Sequence, residues 1–250
     1  MLNSSILENL PHRLNGAWKK QPLNLVSIGG FEADEVFSVL KQGVEMFRAG
    51  IIPQPAKLFI NGNVADGIEG AFPAGRDHTH IDYDGRLVSE LHADTYLLHA
   101  FDMRPYDRYF DKKVTALSDT ILSQLDPEGT YGPVVAEIFM GRYGETVGGI
   151  HKERCSTLHF VLSGEKRIRL WPEDTWSTED ERVRYSLDER TGEEEHYLLD
   201  ARITHKGEKA IDLIGKAGDV FYWPQGWWHV GSSIGFSISM TIAFHPHREA

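Results

Sequence analysis

A short histidine–acid motif and a distant second histidine constrain this chain more than any other feature of its sequence. His151 and Glu153 are two residues apart in a segment predicted to be a strand, so their side chains point to the same face. His229 follows the aromatic segment of residues 220–228. Two imidazoles and one carboxylate form the ligand set that holds one face of an octahedral Fe(II) ion. For positions 151 and 229 to share an ion, strands distant in sequence must meet at one point.

The second half of the chain is composed of short β-rich segments, and the first half of helical patterns. Apolar residues recur at helical spacing over two segments, 33–48 and 115–126. Strands are predicted at 133–140, 157–162, 166–171, 218–223 and 236–244, with a glycine turn at 163–165. We predict one mainly β domain, residues 1–250. In it, a helix-rich part (1–130) packs on a double-stranded β-helix, or jelly roll, formed by residues 131–250.

The net charge of −11 is concentrated in residues 173–200. An acidic chain of this kind is a poor partner for nucleic acid, which is bound by basic surfaces. The run Glu193-Glu194-Glu195 lies between the two metal-binding segments. A solvated loop is the first interpretation of this run. The alternative is electrostatic attraction of a basic peptide or amine.

The sequence predicts a cytoplasmic protein that is neither exported nor inserted into a membrane. It contains no apolar run of membrane-spanning length and no secretory leader pattern. The single cysteine, Cys155, cannot form an internal disulfide, which fits a reducing compartment. We expect Cys155 to be a small buried apolar residue, with a contact to the metal-binding acid as the alternative.

Two longer motifs give the chain a family likeness. Residues 217–229 read Ala-Gly-Asp-Val-Phe-Tyr-Trp-Pro-Gln-Gly-Trp-Trp-His, and residues 18–23 read Trp-Lys-Lys-Gln-Pro-Leu. Both resemble motifs of the cupin-like JmjC branch of the 2-oxoglutarate oxygenases, particularly the asparaginyl-hydroxylase type. The resemblance covers most of the chain and is strongest over 141–244. It implies a cupin-like jelly roll and a chemistry that uses Fe(II), 2-oxoglutarate and O₂.

The resemblance also assigns roles to individual residues. It places His151, Glu153 and His229 on the metal ligands, which are the catalytic centre of this family, and Lys166 on the lysine that binds the far carboxylate of 2-oxoglutarate. Thr157 is expected to add a hydroxyl to the same co-substrate site. One departure is that Glu153 stands where the family more often has aspartate, which puts the position of the iron in question.

The expected reaction is hydroxylation of a C–H bond in a peptide or protein side chain, or in an amino-acid-like substrate, with release of succinate and CO₂. Trp223, Trp228 and Arg142 are candidates for substrate binding, with packing as the alternative for the two tryptophans. Two other functions stay open: a cupin metalloenzyme that does not use 2-oxoglutarate, and a catalytically silent binding module. Because the chain ends soon after its last predicted strand, we expect no C-terminal helical dimerisation module, and the oligomeric state is left open.

A second histidine cluster, His78-Thr79-His80-Ile81-Asp82, competes for a metal by spacing alone. No strand motif elsewhere completes it, so we interpret it as polar loop residues. His245 and His247 are expected to have a structural role near the C-terminus.

Overall fold

The computed structural model describes residues 4–65, 72, 79–90, 92–188, 193–199 and 210–247. The α-helices lie in the N-terminal half: α1 (Ser4–Leu14), α2 (Ala33–Arg48), α3 (His80–Glu90) and α4 (Arg108–Leu125). The strands are β1 (Leu23–Leu25), β2 (Ala56–Ile60), β3 (Asn63–Val64), β4 (Tyr96–Ala100), β5 (Tyr131–Arg142), β6 (His151–Glu153), β7 (Ser156–Trp171), β8 (Val183–Asp188), β9 (Glu193–Leu198), β10 (Ile211–Lys216), β11 (Val220–Trp223) and β12 (Trp228–Pro246).

Both predicted helices are present, and one is longer than its apolar pattern indicated. Helix α2 has the predicted bounds, 33–48, because its apolar side chains form one fully buried face. Helix α4 begins at Arg108 rather than at residue 115. The Asp107 side chain accepts hydrogen bonds from the backbone N–H groups of Tyr109 (2.7 Å) and Phe110 (2.8 Å), and so caps the helix at this earlier point.

The twelve strands of the described residues form one continuous antiparallel sheet with two parts, which we call the first sheet and the second sheet. The first has the order β1-β11-β7-β12-β5-β4-β2-β3, and the second continues from β10 through β7, β12, β6 and β9 to β8. Strands β7 and β12 belong to both sheets, because each is long enough to cross from one to the other. The predicted mainly β fold is therefore confirmed, and the strand pairing is consistent with a jelly roll. The N-terminal part is less helical than we expected, since it also supplies β1–β4 to the first sheet.

The glycine turn predicted at 163–165 is wrong. Residues 156–171 form one continuous strand that bends at Gly164, whose φ is +72°. A Cβ atom at this position would lie 2.0 Å from the carbonyl oxygen of Phe236, so only glycine fits the bend. Strand β12 is irregular at the matching place, between Ile234 and Ile238. Because both strands bend together, their pairing continues on either side and no hairpin forms.

Alternation along β5 decides which side chains face the inside of the roll. Ile138 and Met140 are buried in the main apolar core, which the helices cover. Glu137 and Phe139 point the other way and line a cavity between the two sheets. The helices thus close the outer face of the first sheet and leave its inner face for polar chemistry. No helix in the described ranges is both long and apolar enough to span a bilayer.

Candidate active site

Three potential metal ligands come together on the second sheet. His151 and Glu153 lie on β6, and His229 lies on β12 directly opposite His151 in the strand register. The Glu153 carboxylate is 3.4 Å from His151 Nε2 and 4.0 Å from His229 Nε2. These distances involve the two different oxygens of the carboxylate, and one potential ligand atom from each of the three residues lies within 4.8 Å of the others. Small side-chain adjustments would bring all three atoms to the distance of about 2.1 Å at which a first-row ion binds. Within the described residues, this is the one cluster of His, Cys, Asp or Glu with metal-ligand spacing.

Backbone carbonyls fix the orientation of both imidazoles. His151 Nδ1 is 3.0 Å from the carbonyl oxygen of Gly149, and His229 Nδ1 is 3.1 Å from that of Trp227. A carbonyl only accepts, so each Nδ1 carries a proton and Nε2 is the nitrogen of each ring that is left for a metal ion. This arrangement orients the ligating nitrogen of metal-binding histidines in many proteins. The donor set therefore fits a divalent first-row ion.

The ionisation of these groups reflects their crowding. Burial alone would lower the pKa of His151, but the Glu153 carboxylate and the Gly149 carbonyl outweigh it and raise the pKa to about 9. Burial would raise the pKa of the Glu153 carboxyl, yet His151 and His229 hold it far below its usual range. Burial, together with the charge on His151, lowers the pKa of His229 to about 4. The carboxylate is thus ready to bind a cation, while His151 must first lose a proton.

Lys166 lies fully buried further along the cavity. Its Nζ donates to the hydroxyl of Tyr143, and it lies 4.2 Å from the centre of that ring and 5.7 Å from the centre of the Phe139 ring. No carboxylate among the described residues forms an ion pair with it. Burial therefore lowers the pKa of Lys166 to about 7. An exposed hairpin lysine, the alternative interpretation of this residue, is excluded.

Thr157, Cys155 and Trp223 lie beside the metal-binding cluster and line the same cavity. The Cys155 thiol donates to the Glu153 carboxylate at 3.3 Å and lies 3.6 Å from the Thr157 hydroxyl. Cys155 is also buried, so both of its interpretations hold. The Trp223 ring is 5.0 Å from the His229 ring. These contacts bring three of the residues singled out in the sequence to one wall of the centre.

The other two candidates for substrate binding lie outside the cavity lining. Trp228 is fully buried against Trp176, and its indole N–H donates to the carbonyl of Glu173 at 3.1 Å. Arg142 makes a two-point ion pair with Asp84, at 2.7 and 2.6 Å. Packing and an ion pair account for their positions, and the structure does not bring either side chain to the metal-binding cluster.

The cavity between the sheets has a volume of about 750 Å³. Several of its polar lining residues were missed in the sequence, namely His99, Glu137 and His159. His245 was expected to be structural, but it lies on β12 and also lines the cavity. The only sequence signal for these residues is alternation along predicted strands. That signal does not tell which face is the inner one.

Two other expectations about charged residues have clear outcomes. His80 begins α3, and its Nδ1 is 2.6 Å from the Asp34 carboxylate, while His78 lies outside the described residues. The solvated-loop interpretation of residues 193–195 is wrong, because they form part of β9. This strand pairs with β6 and sets Glu195 opposite Glu153. Glu195 lines the cavity, so negative charge stands beside the metal-binding strand.

A roll of two antiparallel sheets around a cavity, with two histidines and a carboxylate gathered on one sheet, defines the cupin class of proteins. Within it, the chain belongs to the cupin-like domain family, whose model matches residues 86–250. The predicted family and fold are thereby confirmed. A search of curated protein sequences finds no match.

The fold is also similar to solved structures of YcfD from Escherichia coli, which is described as a ribosomal oxygenase. In one of them the sequence identity is 14% and the TM-score 0.56, with 99% of this chain and 54% of the other covered. A second, in complex with cobalt and 2-oxoglutarate, has 15% identity and a TM-score of 0.53, and the match covers 96% of this chain and 52% of the other. The chain thus spans about half the length of these structures.

Proposed function

We propose that this protein is an Fe(II)- and 2-oxoglutarate-dependent oxygenase. The observation that carries the proposal is the pairing of two sites in one cavity. A cluster of two histidines and a carboxylate lies on one wall. Further along lies a buried lysine that forms no ion pair with a carboxylate of the described residues. The first is the ligand set of non-haem iron oxygenases. The second is a cationic site in a dry pocket, suited to a carboxylate.

His151, Glu153 and His229 would hold the iron through the ionised carboxylate and Nε2 of each imidazole, once His151 has lost its second ring proton. Bound there, Fe(II) would supply activation of O₂, coupled to the conversion of 2-oxoglutarate into succinate and CO₂. The three ligands occupy one face, which leaves the other coordination positions open. The carbonyls of Gly149 and Trp227 would keep both rings in place during the reaction.

Lys166 would bind the far carboxylate of 2-oxoglutarate. An incoming carboxylate would restore the charged form of the ammonium, whose pKa burial lowers to about 7. Tyr143, which accepts from Lys166, can donate its own hydroxyl proton to the same carboxylate. Thr157 lies on β7, two residues after Cys155, and would add a hydroxyl nearer the metal. The residues of this chain thus position the co-substrate, and the cofactor carries the oxidation.

We further propose that the reaction is hydroxylation of a C–H bond in a peptide or protein side chain or in an amino-acid-like molecule. A cavity of about 750 Å³ has space for such a group beside the co-substrate. YcfD, described as a ribosomal oxygenase, is one fold neighbour whose printed description agrees with a protein substrate. We also propose that the chain acts as one domain in the cytoplasm. The sheet shared by its two halves and the reduced thiol of Cys155 support this view.

An anaerobic titration tests the proposal. The metal-free protein receives Fe(II) and then 2-oxoglutarate, and the visible charge-transfer band of the chelate is followed. We expect a band in the wild type and none in His229→Ala. Lys166→Ala should need far more 2-oxoglutarate, whereas the exposed Lys216→Ala should behave as wild type. Iron binding without a band would indicate a cupin metalloenzyme that does not use 2-oxoglutarate, and no iron binding would indicate a silent binding module.

A further inference from the structure

A row of polar side chains crosses the inner face of the first sheet next to the metal-binding cluster. Glu137 on β5 lies directly opposite Thr241 on β12, and Thr241 lies opposite His159 on β7. All three line the cavity. The neighbouring register pair is Thr157 and Trp223, and the Trp223 ring contacts that of His229. The Trp223 ring, 6.0 Å from the His159 ring, therefore lies between the row and the metal-binding cluster.

Buried atoms in this row have no hydrogen-bond partner in the described part of the chain. They are the hydroxyl of Thr241 and Nε2 of His159, in side chains that are 6% and 3% exposed. The indole N–H of Trp223 and Nε2 of His99, which line the same cavity, also lack one. Buried polar groups in native proteins are nearly always hydrogen-bonded. Five of the eleven such atoms among the described residues belong to residues that line this cavity, so its wall has hydrogen-bonding capacity that a polar ligand would meet.

Glu137 gives the row a negative charge. Its ion-pair partner among the described residues is His99, at 3.4 Å, and that contact is not aligned as a hydrogen bond. A carboxylate accepts hydrogen bonds and donates none, so most of the accepting capacity of Glu137 stays available. Two of the other three acids of the cavity are engaged differently. Glu153 belongs to the metal-binding cluster, and Asp102 pairs with Arg104 at 3.3 Å.

Aromatic rings flank this carboxylate. The His99 ring stacks on Phe139, with centroids 4.3 Å apart, and lies 4.4 Å from Phe101. The faces of such rings attract cations. The exposed side chain of Lys57 already uses one of them, with Nζ 5.4 Å from the Phe101 centroid. A cation inside the cavity would meet both a carboxylate and aromatic rings.

We infer that Glu137 binds a cationic nitrogen group of the substrate, an ammonium or a guanidinium, beside the metal-binding cluster. Thr241 and His159 supply further hydrogen bonds to the same group, and Glu195 on β9 adds negative charge to the cavity lining. This inference rests on the proposed function for the reaction that follows binding. The binding itself can be tested without turnover.

The test uses Mn(II)-loaded protein, which binds without oxidation, and measures peptide affinity by calorimetry. The probes are acetylated pentapeptide amides of alanine with lysine, arginine, norleucine or citrulline at the centre. Free lysine and free arginine serve as a second pair, which distinguishes a peptide substrate from a free amine. The variants are Glu137→Gln, the charge-conserving Glu137→Asp, and Glu128→Gln as an exposed control outside the cavity. Binding of 2-oxoglutarate is measured separately on each protein.

We expect lysine or arginine probes to bind at least about tenfold more tightly than norleucine or citrulline, because a charged hydrogen bond is gained. This preference should disappear in Glu137→Gln and persist in Glu137→Asp and Glu128→Gln. Equal binding of charged and neutral probes, an unchanged preference in Glu137→Gln, or no binding of any probe would overturn the inference. If the protein prefers the cationic probes but does not bind 2-oxoglutarate, the inference about Glu137 is upheld and the proposal that 2-oxoglutarate is the co-substrate is wrong.

Discussion

Replacing Lys166 with methionine should make the protein without co-substrate more stable and weaken its binding of 2-oxoglutarate. Burial lowers the pKa of Lys166 from 10.5 to about 7. Since a tenfold change in proton affinity corresponds to about 1.4 kcal/mol, keeping this ammonium charged costs the fold roughly 4–5 kcal/mol at most. The rings of Tyr143 and Phe139 and the Tyr143 hydroxyl return about 2 kcal/mol. Methionine has a similar volume and no charge, so Lys166→Met should gain about 2 kcal/mol.

The stability gained by Lys166→Met should decrease as the pH rises above neutral. The pKa of Lys166 is lower in the folded protein than in the unfolded chain, so the unfolded chain binds more protons between pH about 7 and 10.5. Wild-type stability therefore rises as the pH rises through this window. The methionine variant lacks this rise. Its advantage should be largest near neutral pH and should shrink as the pH approaches the pKa of a free lysine.

Thermal unfolding and calorimetry check both effects. For a chain of this length, about 2 kcal/mol corresponds to a rise of roughly 5 °C in Tm. The loss of a charge-assisted hydrogen bond should weaken 2-oxoglutarate binding about 10- to 100-fold. Lys216→Met, at an exposed position on β10, should change neither quantity. A lower Tm for Lys166→Met near neutral pH, a pH-independent gain, or an unchanged affinity for 2-oxoglutarate would refute the reasoning.

Three further predictions concern the ligands, the bend and Arg142. Because the pKa of His151 is about 9 and only the neutral ring can bind a metal, Mn(II) affinity should rise with pH up to that value. Below that pH, calorimetry in buffers of different ionisation enthalpy should show that about one proton is released for each Mn(II) ion bound. The absence of proton release would contradict the assignment of His151 as a metal ligand. Gly164→Ala should destabilise the protein by at least about 3 kcal/mol in urea unfolding, since its Cβ would meet a backbone oxygen, whereas Gly129→Ala, at positive φ in open space, should cost about 1–2 kcal/mol. Arg142→Gln should cost about 1–2 kcal/mol by leaving Asp84 without its ion pair, and affinities for Mn(II) and 2-oxoglutarate should not change. A tenfold loss of either affinity would restore Arg142 to the site.

The strand pattern carried most of the information about the fold, and where it failed the cause was a long-range contact. The predicted strand at 133–140 lies within β5, and the one at 236–244 lies within β12. Strands β1–β4 and β8–β10 were not predicted. Strands β8 and β9 lie in the acidic stretch that looks like a solvated loop, and they are strands because β9 pairs with β6 and β8 pairs with β9. The turn expected around Gly164 fails for the same reason, because the paired β12 bends beside it.

The sequence by itself determined the candidate metal ligands. His151 and Glu153 share a face because alternate residues on a strand do, and the aromatic segment before His229 marks the strand that completes the set. Tertiary structure decided what surrounds them. Lys166 donates to Tyr143, which directly follows β5, and Glu137 lies opposite Thr241 in the strand register. Both arrangements depend on the register of strands throughout the roll. A register shift of one residue would turn each of these side chains to the other face, and local sequence does not encode the register of strands a hundred residues apart.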